Sequence, residues 1–138
     1  MTNKEKTALA LNSLIVLLGA YGIYLCFRDL GVLTFRFYTC LSNYFAWIMS
    51  FLYVLFMLIK KSQKAIPALI MKLKYAATIC LALTFITVVA VLAPTMGNGS
   101  YFSSLYDLSI KGSGLYVHTL VPILSVLSFC CCFLFCFY

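Results

Sequence analysis

Acidic residues are almost absent: Glu5, Asp29 and Asp107 are the only three among 138 residues. Charged side chains of either sign make up 9% of the chain, against about 25% in an ordinary soluble domain. There is one histidine, His118, and one tryptophan, Trp47. A lone histidine, with no cysteine pair at zinc-ribbon spacing, leaves no metal-ligand cluster. No glycine-rich phosphate loop and no nucleotide fingerprint occur either. No metal or cofactor is therefore expected.

What is present is apolar surface, with 64% of residues hydrophobic. A soluble fold of this length leaves too much of its surface in water to hide that fraction. Lipid must cover it, so the expected fold is all-α, an integral membrane helical bundle. The length suits a single transmembrane domain over 1–138. The net charge of +7 does not indicate nucleic acid. The basic residues flank apolar runs and form no stripe interleaved with aromatics.

A helix rises 1.5 Å per residue, so about 20 apolar residues cross the roughly 30 Å hydrocarbon core. Four runs qualify, at about 7–27, 37–59, 75–93 and 115–138, the third with a start as early as Pro67, a residue that suits a first helical turn. The first is too long for a signal core and has no small-residue cleavage site after it. Phe35, Phe37, Tyr38, Tyr44 and Trp47 form an aromatic belt where the second begins. The stretch from Pro94 to Gly114, rich in Gly, Ser and Asn, reads as a loop. Asn98-Gly99-Ser100 within it has the form of a glycosylation acceptor. Lys4, Lys6, Lys60, Lys61, Lys64, Lys72 and Lys74 lie on one side of this arrangement; Arg28, Arg36 and Lys111 lie on the other. The bias places both termini in the cytoplasm. Lys72 and Lys74 are expected on the opening turn of the third helix, snorkelling to the interface.

The cysteines are Cys26, Cys40, Cys80, Cys130, Cys131, Cys132 and Cys136, all in or beside apolar runs. They read as small hydrophobes, with S-acylation of the C-terminal cluster as the minority reading. Gly19, Ala20 and Gly22 allow a neighbouring helix to approach closely. Pro122 is expected to kink the fourth helix. Thr78, Thr84 and Thr87 read as packing residues of the third.

Two residues attract a chemical reading. Thr39 and His118 lie just inside the outer ends of the second and fourth spans, at matching depth. Arg36, Thr39, Ser42 and Asn43 follow at i, i+3, i+6 and i+7, which stacks them on one helix face. Arg and Asn are costly against lipid, so this face should point into the bundle. A threonine hydroxyl needs a base to become a nucleophile, and an imidazole titrates near neutrality. Arg36, Asn43 or free helix-start amides would stabilise an oxyanion. The usual third member is a carboxylate, and Asp29 and Asp107 are the outer-side choices. The bland alternative gives Thr39 to its own backbone, His118 to the interface, and Ser42 and Asn43 to interhelical hydrogen bonds.

The segment Phe35-Arg36-Phe37-Tyr38-Thr39-Cys40-Leu41-Ser42-Asn43 resembles a motif of the bacterial Pr-six-Pr membrane proteins. His118-Thr119-Leu120-Val121-Pro122-Ile123-Leu124 resembles a second motif of that family. Leu83-Thr84-Phe85 to Leu92-Ala93-Pro94 is similar to its third-span ending. That family is distantly similar to the androgen-induced and androgen-dependent TFPI-regulating proteins, intramembrane threonine hydrolases of fatty acid esters of hydroxy fatty acids. The resemblance implies a multi-pass protein of a bacterial cell membrane with a lipid-ester substrate, Thr39 as nucleophile and His118 as base. Family members continue beyond the fourth span for about two more helices. Here the corresponding region reads Ser125-Val126-Leu127-Ser128-Phe129-Cys130, and the expectation is a short or truncated relative. A non-enzymatic structural or partner-binding role is the alternative.

Overall fold

The computed structural model describes residues 2–60, 66–95 and 100–131. Those residues are helical throughout their regular structure. Helix α1 (Asn3–Leu30) begins with a capping box in which the Thr2 hydroxyl accepts from the Glu5 amide and the Glu5 carboxylate accepts from the Thr2 amide. This pairing satisfies donors that a helix start leaves open. Gly31, with a positive φ of 55°, ends α1. Only glycine takes that conformation without strain. A 3₁₀ helix (Gly31–Arg36) then leads into α2 (Tyr38–Lys60).

Helix α3 (Ala68–Thr87) starts directly after Pro67 and continues through a π segment (Val88–Leu92) into the short α4 (Ala93–Thr95). Helix α5 (Tyr101–Ser109) follows. A second π segment (Leu115–Leu120) runs into α6 (Val121–Phe129). Three stretches are long and apolar enough to cross a membrane: Asn3–Arg36, Tyr38–Lys60 and Ala68–Thr95. Leu115–Phe129 is apolar but shorter. The remainder of the expected fourth span, 132–138, with Cys132 and Cys136, lies outside the described residues, as do Lys61, Lys64, Asn98 and Gly99.

The long helices pack as a ring. α1 contacts α2 and α6, and α3 contacts α2 and α6. α2 and α6 are therefore diagonal partners. The central core takes Ile15 from α1, Ala46 and Met49 from α2, Ala77 and Leu81 from α3, and Val121 from α6. A second cluster joins Ala8, Tyr53, Met57 and Ile66, and a third joins Cys26, Cys40 and Val117.

Several expectations need correction. The Pro94–Gly114 stretch is not simply a loop, because it carries α5. Its helical turns are too few to stand out among Gly, Ser and Asn. The third helix starts at Ala68, the earlier of the two starts the sequence allowed, so Lys74 falls well inside it rather than on its opening turn. Instead of snorkelling, Lys74 is 3% exposed, with its ammonium 5.6 Å from the centre of the Tyr53 ring. An aromatic face attracts a cation at that range. Thr78, Thr84 and Thr87 each donate to the carbonyl four residues back, at 3.0, 2.9 and 2.8 Å.

The small residues of α1 do admit neighbours. A Cβ on Gly19 would lie 2.9 Å from Trp47 Cδ1, and one on Gly22 would lie 2.9 Å from Tyr116 Cβ. Trp47 also donates through Nε1 to the Val16 carbonyl at 2.8 Å. Gly22→Val should cost about 2 kcal/mol, because overpacking a tight contact typically costs 1–3 kcal/mol. Ala20 is exposed, so Ala20→Val should stay within about 0.5 kcal/mol. Unfolding of both variants by SDS titration in mixed micelles measures the contrast.

Candidate active site

Proline accounts for the local geometry at the site. Pro122 has no N–H, and its ring crowds the carbonyl four residues back, which is that of His118. The preceding turn widens in response. The Val121 amide donates to the Tyr116 carbonyl, five residues back, instead of to Val117. The Val117 carbonyl then has no backbone donor. Its α-register donor has moved to Tyr116, and its π-register donor would be the proline. Asn43 of α2 fills the gap, donating through Nδ2 to Val117 O at 2.9 Å.

The other π segment follows the same logic. The Ala93 amide donates to the Val88 carbonyl, and the next residue is Pro94. The stranded carbonyl there is that of Val89, and the Tyr101 hydroxyl donates to it at 3.2 Å. Each proline thus exposes one carbonyl, and a side chain from another element takes it.

Asn43 also donates to the Thr39 carbonyl, at 2.8 Å. One amide group therefore ties the start of α2 to the turn that carries His118. The two helices are diagonal across the bundle but meet here, at its Cys26, Cys40 and Val117 end. Thr39 and His118 are both half-buried. Asn43 links the Thr39 carbonyl to that of Val117, the residue before His118. Among the described residues, no hydrogen bond joins the Thr39 hydroxyl to the imidazole. His118 Nδ1 is buried without a partner, as is Asn43 Oδ1.

The supporting residues divide. Ser42 Oγ lies 2.9 Å from the Thr39 carbonyl oxygen and 3.0 Å from the Thr84 hydroxyl oxygen of α3, and its single proton serves one of the two at a time. Arg36 does not share this face. It is exposed and belongs to the 3₁₀ helix, which ends before α2 begins. The i, i+3 spacing from Arg36 to Thr39 therefore crosses a helix boundary, and no common face results.

Both N–H donors of Asn43 are committed to carbonyls, so neither is free for an oxyanion. The amides that open α2 at Tyr38 and Thr39 have no acceptor within their own helix. They are the donors left in place. The carboxylates are also engaged elsewhere: Asp29 pairs with Arg28 at 2.8 Å and Asp107 with Lys111 at 3.5 Å. Neither orients His118.

The π segment is further anchored by Thr119, whose hydroxyl donates to the Ser109 carbonyl of α5 at 2.7 Å. Beside Thr119 runs an apolar groove of about 350 Å³ lined by Phe85, Val89, Phe102 and Ile110. Phe85 also lines a neighbouring groove of about 320 Å³ with Ile86, Pro122 and Leu127. Sequence reasoning singled out Thr39, His118, Ser42 and Asn43 but missed the Asn43–Val117 bond. The signal for it was present: Pro122 strands a carbonyl, and an inward-facing Asn is a suitable donor.

No family model, curated protein or solved structure matches this chain. The family resemblance therefore rests on the quoted sequence segments alone.

Proposed function

We propose that the chain is a four-span protein of the cell membrane with both ends cytoplasmic, and that the locus around Thr39 and His118 hydrolyses an acyl ester of a lipid. One observation supports the reading: Asn43 donates to the Thr39 and Val117 carbonyls at once, which links the turn that bears Thr39 to the residue before His118. The buried Nδ1 of His118 has no hydrogen-bond partner, which supports its assignment as the base.

In this mechanism His118 takes the proton of the Thr39 hydroxyl as the oxygen attacks the ester carbonyl. The Tyr38 and Thr39 amides face the developing oxyanion. The alcohol leaves with the proton, and an acyl-threonine forms. Water, deprotonated by the same imidazole, releases the acid and restores the hydroxyl. The grooves that share Phe85 suit an acyl chain, being apolar and next to the turn that carries His118.

The second reading, a non-enzymatic structural or partner-binding protein, also has an observation in its favour. The polar face of α2 is already spent on bundle contacts, through Ser42 to Thr84 and Asn43 to Val117. Labelling with an alkyl fluorophosphonate separates the two. The hydrolase reading expects a covalent adduct on Thr39 that disappears in Thr39→Ala and falls at least about tenfold in His118→Ala, given that general base catalysis is worth about 10²–10⁴-fold. Equal labelling of all three proteins, or none of the wild type, sustains the structural reading instead.

A further inference from the structure

Two of the cysteines form a contact that the site does not use. Cys26 lies one turn before the end of α1 and Cys40 is the third residue of α2. Their sulfurs are 3.8 Å apart. They are 2% and 4% exposed, and both belong to the apolar cluster completed by Val117, with Tyr44 packed against it. A disulfide has sulfurs about 2.05 Å apart, so closure needs a shift of less than about 2 Å by two unbranched side chains. Only the short 3₁₀ helix Gly31–Arg36 and Phe37 separate the two helices, so their ends are already neighbours in the chain. Metal binding does not explain the pair, because among the described residues no three potential ligands cluster.

We infer that Cys26 and Cys40 are a dithiol site, oxidised by a lipid-soluble quinone to a disulfide that locks α1 to α2. Two S–H bonds break and one S–S bond forms. The two electrons and two protons reduce the quinone to its quinol. The oxidant class follows from the surroundings. The thiols sit in an apolar cluster between helices of membrane-spanning length, where a neutral quinone dissolves and a charged peptide disulfide does not. Cys40 adjoins Thr39, so the bond would also pin the first turn of α2. The inference itself holds for either functional reading above.

The test uses the full chain, purified in detergent micelles and reduced with dithiothreitol. After removal of the reductant without air, decylubiquinone is added. The protein is then denatured, treated with N-ethylmaleimide and digested with chymotrypsin for mass mapping. The expected result is a linked pair of peptides containing Cys26 and Cys40, lighter than their sum by two hydrogen atoms, with neither residue alkylated. In Cys26→Ser the link disappears and Cys40 is alkylated. Peptide mapping of the wild type keeps the test independent of that variant's folding. Alkylation of both residues after quinone treatment, or linkage of either to another cysteine instead, overturns the inference.

Discussion

Gly114→Ala should cost about 3 kcal/mol of bundle stability, at the upper end of the 1–3 kcal/mol typical of overpacking. Backbone conformation does not require glycine there, since φ is −57°. Helix propensity alone would favour alanine by about 1 kcal/mol. The obstacle is the carbonyl of Leu108, whose oxygen and carbon crowd the place where a Cβ would stand. A side-chain tip can swing away from such a contact, but backbone of α5 cannot. The helix must lift from the π segment, which stretches the bond from Thr119 to the Ser109 carbonyl. Losing that bond adds about 1 kcal/mol. Gly112 is the control. Its φ is 59° with open space where a Cβ would stand, so alanine there meets only backbone strain of about 1–2 kcal/mol. SDS-titrated unfolding should rank Gly114→Ala as the more damaging. The reverse order would mean that α5 does not press on the π segment.

A double-mutant cycle between Asn43 and Pro122 should show strong coupling. Asn43→Ala strands a buried carbonyl at Val117, which costs about 1–3 kcal/mol. Pro122→Ala restores an N–H at 122. The turn can then return to α register, with Val121 donating to Val117 and residue 122 donating to His118. In that background the Asn43 amide is no longer needed at Val117, and Asn43→Ala should cost about 1 kcal/mol or less. The coupling energy should therefore be about 1–2 kcal/mol, well above the scatter of about 0.5 kcal/mol for independent sites. Additive costs would show that the proline does not create the vacancy that Asn43 fills. Tyr101 and Pro94 form the analogous pair, with a smaller expected effect because Tyr101 is exposed.

Much of the architecture is legible in local composition. The apolar runs gave the long helices nearly in place: α2 spans Tyr38–Lys60 against an expected 37–59. Gly19 and Gly22 announced close approaches and have them. Pro122 announced a kink one turn below His118; the structure instead has a π segment, Leu115–Leu120, that precedes the proline and contains His118. Other features were not legible. Lys74 looked like an interfacial residue because a lysine on the opening turn of a span ordinarily reaches back to the headgroups. Its true place depends on Tyr53, a residue of another helix. Arg36 matched a helical repeat in spacing, yet the helix had not begun.

The chain alone settled its all-helical character, because that follows from run length and hydrogen-bond economy within each segment. It also supplied the chemical inventory: one imidazole, few carboxylates and a single Thr-Ser-Asn face. The three-dimensional arrangement decided which groups meet. That α2 and α6 stand diagonally, that Asn43 nevertheless reaches Val117, and that Asp29 and Asp107 serve nearby bases are outcomes of packing. Periodicity reports which face of a helix turns inward. Which neighbour that face encounters depends on how four helices share one core, and no local pattern encodes it.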